Sequence, residues 1–207
     1  MWCVDLCEND YMKKTILLLI VVGFMALVAY NACIVTSRTP SKDVIGKVCG
    51  KWNTSYSNYI ILVDYSKPSC EERFYIYDKS KDKVIYSGVC LHGCGKGNTP
   101  SKPKFSNTPG SNCSSLGYYK VTRLGKMKSL KRDCFRLKGL SETNSNAEMR
   151  GILIHSGILP TMLPFEIYGA NFPLVHESEG CFTVSLFTMM KLKRIFTGKP
   201  MLMYAYC

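Results

Sequence analysis

Short bursts of apolar residues, bounded by polar or Gly/Pro clusters, recur along most of this chain, and seven of them read as β strands: Asn58 to Tyr65 (NYIILVDY), Arg73 to Asp78 (RFYIYD), Lys83 to Cys90 (KVIYSGVC), Gly117 to Thr122 (GYYKVT), Cys134 to Lys138 (CFRLK), Gly151 to His155 (GILIH) and Met201 to Tyr206 (MLMYAY). Each is rich in β-branched and aromatic side chains. The polar segment Asp78-Lys79-Ser80-Lys81-Asp82 has the length and chemistry of a hairpin turn, which pairs the second strand with the third. Only Val184 to Phe196 has clear helical spacing, and Gly198-Lys199-Pro200 ends it. The pattern predicts a mainly β domain with one or two short helices.

Thr36 to Asn58 is mixed and polar, broken by Pro40, Gly46 and Gly50, and reads as a linker with one short helix near Val44 to Val48. The folded domain is then expected over 59–207. Leu91 to Ser115 is a long loop loaded with Gly, Pro, Ser and Asn, and loops of that length in a compact domain carry function or move. Its Gly95-Lys96-Gly97 lacks the spacing of a phosphate-binding loop, and no helix follows, which excludes a P-loop nucleotide site.

The N-terminal pattern is different. Lys13 and Lys14 precede an unbroken apolar run of 15 residues, Ile16 to Tyr30. A bilayer crossing takes about 20 apolar residues and a secretory core about 7–15, so 1–35 reads as a signal peptide or an N-terminal membrane anchor. Asp5, Glu8 and Asp10 do not suit a leader, whereas Met12-Lys13-Lys14 does, and translation is expected to begin at Met12. Ala29 and Ala32 offer small residues for cleavage, with Tyr30 badly placed between them. Cys33 follows Ala32 as in a lipoprotein signal, but Tyr30 and Asn31 fit that signal poorly. The rest of the chain is expected outside the cytoplasm, in the periplasm or cell wall.

Composition narrows the class. The 207 residues are 46% hydrophobic and 12% aromatic, which excludes a disordered chain, and the 16 glycines have no triplet period. Eleven cysteines on this length decorate a core rather than replace one. Without the first 35 residues, which hold two lysines and three acidic side chains, the net charge is +13. Such a charge implies a polyanionic neighbourhood, the alternative being a solvated basic face that binds nothing specific. An exported domain meets anionic wall polymers and lipid headgroups, not nucleic acid.

Two residues stand out as candidate chemistry. Cys181 closes Ser178-Glu179-Gly180-Cys181, ahead of the one good helix, where outward amides and a helix N-terminus would lower a thiol pKa and supply oxyanion donors. His155 ends the strand GILIH and is followed by Ser156-Gly157, so the strand end can present an imidazole base to a thiol.

The series SSLGYYKV, FRLKGL, ILIHSG, SEGC and MLMYAY, with Lys104 to Asn107 and Pro109 to Ser111 of the long loop, resembles the murein L,D-transpeptidase catalytic domain family, the YkuD-like enzymes, from about Tyr59 to Cys207. That resemblance implies a β-sandwich with Cys181 as nucleophile and His155 as base. Ser156 orients the imidazole, Gly180 and Cys181 hold the oxyanion, and Ser178, Gly157 and His92 flank a groove for peptidoglycan stem peptides. It further implies attack on the third residue of a tetrapeptide stem, loss of D-Ala and a thioester. An acceptor amine then gives a cross-link and water gives carboxypeptidase action. Glu179 stands where many relatives have His, and Thr183 where they have Asn, which bears on substrate preference.

Other readings stand beside this one. Cys90, His92 and Cys94 share a face at strand spacing, as a soft metal site would, but a fourth ligand is not evident, and Cys90 or Cys94 reads better as a disulfide partner. No metal or cofactor is expected. His176 reads as an exposed loop histidine rather than a second base. Seven cysteines remain after Cys33 once Cys181 is set aside, so three bridges would leave one unpaired. A non-catalytic wall-binding module with a structural Cys181 is the alternative of another class. Oligomeric state is not readable.

Overall fold

The computed structural model describes residues 15–19, 21–23, 39–69, 71–99, 101–127, 131–157 and 178–207. The chain divides into two units, Met1–Thr39 and Pro40–Cys207. In the first, 15–19 and 21–23 are helical. Among the described residues no helix is long and apolar enough to cross a membrane. Met12, the paired lysines, Cys33 and the remainder of the Ile16 to Tyr30 run lie outside the described residues, as does His176.

The second unit is built on nine strands: β1 (Tyr59–Asp64), β2 (Phe74–Asp78), β3 (Lys83–Gly88), β4 (Cys90–Leu91), β5 (Gly117–Lys126), β6 (Asp133–Gly139), β7 (Leu153–Ser156), β8 (Phe182–Val184) and β9 (Met201–Tyr206). They hydrogen-bond in the order β3-β2-β1-β9-β5-β6-β7-β8-β4. The β1–β9 and β7–β8 pairs are parallel. The expected hairpin is present, with Asp78 opposite Lys83 and the Asp78 carboxylate accepting from the Ser80 amide at 3.0 Å.

Within the segment expected as a linker, Lys42–Lys51 forms helix α1, capped by the Ser41 hydroxyl, which accepts from the Val44 amide. It covers one face of the sheet. Val48 packs with Ile60, Leu62, Tyr75, Tyr77 and Leu202. Ile61 and Val63, alternate residues of the same strand, enter the main core on the other face. Burial on both faces is why YIILV is a continuous apolar run rather than an alternating one.

Phe74 and Ile76 of β2, Tyr119 of β5, Phe135 of β6, Ile154 of β7, Phe182 of β8 and Met203 of β9 all join that main core, so the sheet folds over itself in the mainly β arrangement expected. The Tyr65 and Phe182 rings stack within it at 6.0 Å. Helix α2 (Leu186–Ile195) closes it with Met189 and Leu192, its start capped by Ser185, which accepts from the Thr188 amide.

The helix expected from Val184 starts later, because Phe182–Val184 is drawn into the sheet between β7 and β4. β7 begins at Leu153 rather than Gly151, whose φ of +67° makes it a turn residue. The described cysteines Cys49, Cys90, Cys94, Cys113, Cys134, Cys181 and Cys207 are free thiols, against the disulfide expected for Cys90 or Cys94.

Candidate active site

Two backbones in close contact place Cys181. Gly93 bridges Ser178 in a parallel pair, the Cys94 amide donates to the Ser178 carbonyl at 2.8 Å, and the Ser178 hydroxyl donates to the Cys181 carbonyl at 2.8 Å. Ser114 joins them from the long loop: its hydroxyl accepts from the Gly93 amide at 3.0 Å and donates to the Gly180 carbonyl at 3.1 Å. Gly180 has φ +111°, and a Cβ there would stand 2.7 Å from the Cys113 carbonyl oxygen, so SEGC needs its glycine on two grounds. The long loop thus holds the bend that carries the thiol.

His155 comes from β7. It stands opposite Cys134 of β6 and opposite Thr183 of β8, so those three side chains form a row across the sheet two residues from Cys181. The imidazole is 6% exposed. Its Nδ1 lies 3.2 Å from the Ser156 carbonyl oxygen, which can only accept, so Nδ1 carries the proton and Nε2 is the basic nitrogen. Nε2 lies 3.4 Å from the Thr183 hydroxyl.

A cleft of about 680 Å³ opens over this row, and Cys181, His155, Ser178, Glu179, Gly151 and Arg150 are among its lining residues. Cys181 is partly exposed there, with its thiol directed to the Gly151 carbonyl at 3.9 Å. Burial pushes the thiol above its ordinary pKa, with Cys134 and Glu179 acting in the same direction against the Leu153 amide and Arg150. Burial also holds His155 below its ordinary value, opposed by the Ser156 hydrogen bond and aided by Arg132. Both shifts favour the neutral thiol and the neutral imidazole at rest.

This corrects the expected thiol activation. Cys181 leads into β8 and not into α2, which begins five residues later at Leu186, so the N-terminus of α2 does not start at the thiol. His92, expected to flank the groove, is not among the described lining residues of this cleft. His92 is 1% exposed, and its Nδ1 lies 2.8 Å from the buried Arg73 guanidinium, which also donates to the Cys90 and Lys67 carbonyls. Gly157 donates to the Val184 carbonyl within the β7–β8 edge. Burial lifts the Cys90 thiol to about 12, and among the described residues no group of three His, Cys, Asp or Glu could hold a metal.

Three residues enter the site without a sequence signal. Arg150 donates to the Ser106 and Cys113 carbonyls, pinning the long loop to the cleft wall. Arg132 donates to the same Ser156 carbonyl that receives His155, at 3.4 Å. Cys134 reaches His155 only through strand register, which needs the sheet order to be read.

The family model described as L,D-transpeptidase catalytic domain matches residues 37–206. A search of curated proteins finds no match. Among solved structures the chain is similar to Bd1075 of Bdellovibrio bacteriovorus at 15% identity and TM-score 0.45, covering 74% of this chain and 49% of that one. It is similar to the helical cell shape determining protein Pgp2 of Campylobacter jejuni, as a mutant, at 15% identity and TM-score 0.47, covering 72% and 47%. An L,D-transpeptidase from Xylanimonas cellulosilytica matches at 14% identity and TM-score 0.39, covering 80% and 70%. The match spans about half the length of the first two of these structures. By the family match over 37–206, the chain belongs to the L,D-transpeptidase catalytic domain family.

Proposed function

We propose that this chain is an exported, cysteine-dependent peptidoglycan L,D-transpeptidase that acts on tetrapeptide stems through a thioester on Cys181, with 1–35 as the export segment or anchor. The observation that carries the reading is that Cys181 and His155 line one cleft, in a chain of this family.

The steps follow from the protonation states. His155 Nε2 takes the thiol proton as the sulfur attacks the carbonyl carbon of the third stem residue. The oxyanion is held by the Gly180 and Cys181 amides. The C–N bond to the terminal D-Ala breaks, the leaving amine takes the proton from the imidazolium, and a thioester remains. An acceptor amine or water then attacks the thioester and restores the thiol. The Ser156 carbonyl keeps the imidazole oriented throughout, as the third member of such a relay does. The resting thiol points at Gly151, so the bound stem must turn it toward Nε2, and long catalytic hydrogen bonds in an empty site are ordinary.

D-Ala release from a disaccharide tetrapeptide tests the reading, in the wild type and in Cys181→Ala. Release by the wild type alone supports it, and cross-linked product separates transpeptidase from L,D-carboxypeptidase. Release by both would remove Cys181 from the chemistry. Release by neither, in folded protein, would favour a wall-binding module.

A further inference from the structure

A second surface, apart from the Cys181 cleft, combines features that no step of the chemistry uses. On the outer side of α2, Leu186, Phe187 and Met190 are 48%, 66% and 57% exposed. At helical spacing they fall on the side opposite the buried Thr188, Met189 and Leu192. Arg194 lies on the same outward side in the last turn, with Lys191 at one edge of it and Lys193, paired with Asp133, at the other. One helix therefore presents an apolar start and a cationic end to solvent.

The cationic end borders a concavity. A cleft of about 680 Å³ is lined by Lys191 and Arg194 from α2 and by Lys81 and Lys83 from the β2–β3 hairpin, and its lining contains no acidic residue. An adjoining hollow of about 230 Å³ shares Tyr59, Ile195 and Thr197 with it and adds Lys199. Carboxylates nearby are already engaged: Asp78 pairs with Lys81, Asp82 accepts from the Tyr77 hydroxyl, and Asp133 pairs with Lys193. Among the described residues Lys83, Lys191, Arg194 and Lys199 make no ion pair.

We propose that this face docks on an anionic phospholipid surface. Leu186, Phe187 and Met190 enter the interfacial region, and headgroup phosphates occupy the cleft between α2 and the β2–β3 hairpin. Charge complementarity selects this occupant. A cationic surface with exposed large apolar side chains beside it matches the two layers of an anionic leaflet, phosphate outside and hydrocarbon within. A soluble polyanion would use the cations and leave Phe187 in water.

The test uses the full chain carrying Phe187→Trp, with the parent chain as background for Trp2 and Trp52, and vesicles of phosphatidylcholine with or without phosphatidylglycerol, brominated on the acyl chains. Bromine quenching at position 187 reports local depth whatever the N-terminal segment does. Quenching is expected with phosphatidylglycerol vesicles and not with phosphatidylcholine alone. Adding Lys191→Glu and Arg194→Glu should weaken it at least about tenfold, since each cation near an anionic leaflet contributes measurably. Absent quenching with phosphatidylglycerol, in protein whose circular dichroism matches the parent, would overturn the proposal. Equal quenching on both vesicles would overturn the role of charge. Binding of soluble polyphosphate without quenching on any vesicle would reassign the surface to a polyanion. None of these readouts depends on D-Ala release.

Discussion

The backbones of Gly93 and Gly180 touch: a Cβ on Gly93 would stand 2.7 Å from the Gly180 Cα and 2.2 Å from the Asn112 carbonyl oxygen. The long loop and the Cys181 bend are thus one rigid unit. Gly93→Ala has no flexible neighbour to displace and should destabilise the fold by about 1–3 kcal/mol, the usual cost of overpacking. It should also move Cys181 away from His155, and misplacement by about 1 Å can cost on the order of 100-fold in rate. Thermal melting and D-Ala release measure the two effects separately.

Burial raises the Cys181 thiol and lowers His155, and both shifts favour the neutral forms at rest. Because the thiol pKa lies above its ordinary value, the thiolate fraction keeps growing beyond the usual range as pH rises. Alkylation of Cys181 by iodoacetamide should still be accelerating above pH 8, reported by peptide mass spectrometry. A rate that levels off below that pH would mean a resting thiolate–imidazolium pair.

Arg132 shares the Ser156 carbonyl with His155 and lowers the imidazole pKa by its charge. Arg132→Gln removes that charge, so the His155 pKa should rise toward its ordinary value. The base is active when unprotonated, so the acid limb of kcat should move to higher pH while KM is unchanged. An unshifted limb would separate Arg132 from the base.

His92 and Arg73 form a buried brace. Arg73→Met would remove one donor to each of the Cys90 and Lys67 carbonyls and to His92 Nδ1, a loss of about 3–5 kcal/mol. His92→Ala should lower the melting temperature and leave KM of the folded enzyme unchanged. A raised KM with unchanged melting would restore the groove role.

Elements that bury both faces or pair locally were legible in the chain. MLMYAY and YIILVD are continuous apolar runs because β9 and β1 are interior strands, and the 78–82 turn announces its hairpin through Asp and Ser. β8 and β4 were not, since three and two residues are too short for any period, and β8 is defined only by partners far along the chain. That omission also misassigned the surroundings of Cys181, placing it directly ahead of a helix that in fact begins beyond β8. His155 and Cys181 were visible as a pair of residue types. Arg132, Arg150 and Cys134 become neighbours of the site only through the β6-β7-β8 order and the 142–151 turns, which carry no local pattern.

Intact-protein mass after incubation with a disaccharide tetrapeptide tests the central claim most directly, in the wild type and in Cys181→Ala. The expected result is a wild-type adduct of the mass of the stem less D-Ala, absent from Cys181→Ala and discharged by an added amine. An equal adduct in Cys181→Ala, or free D-Ala without Cys181, would contradict it.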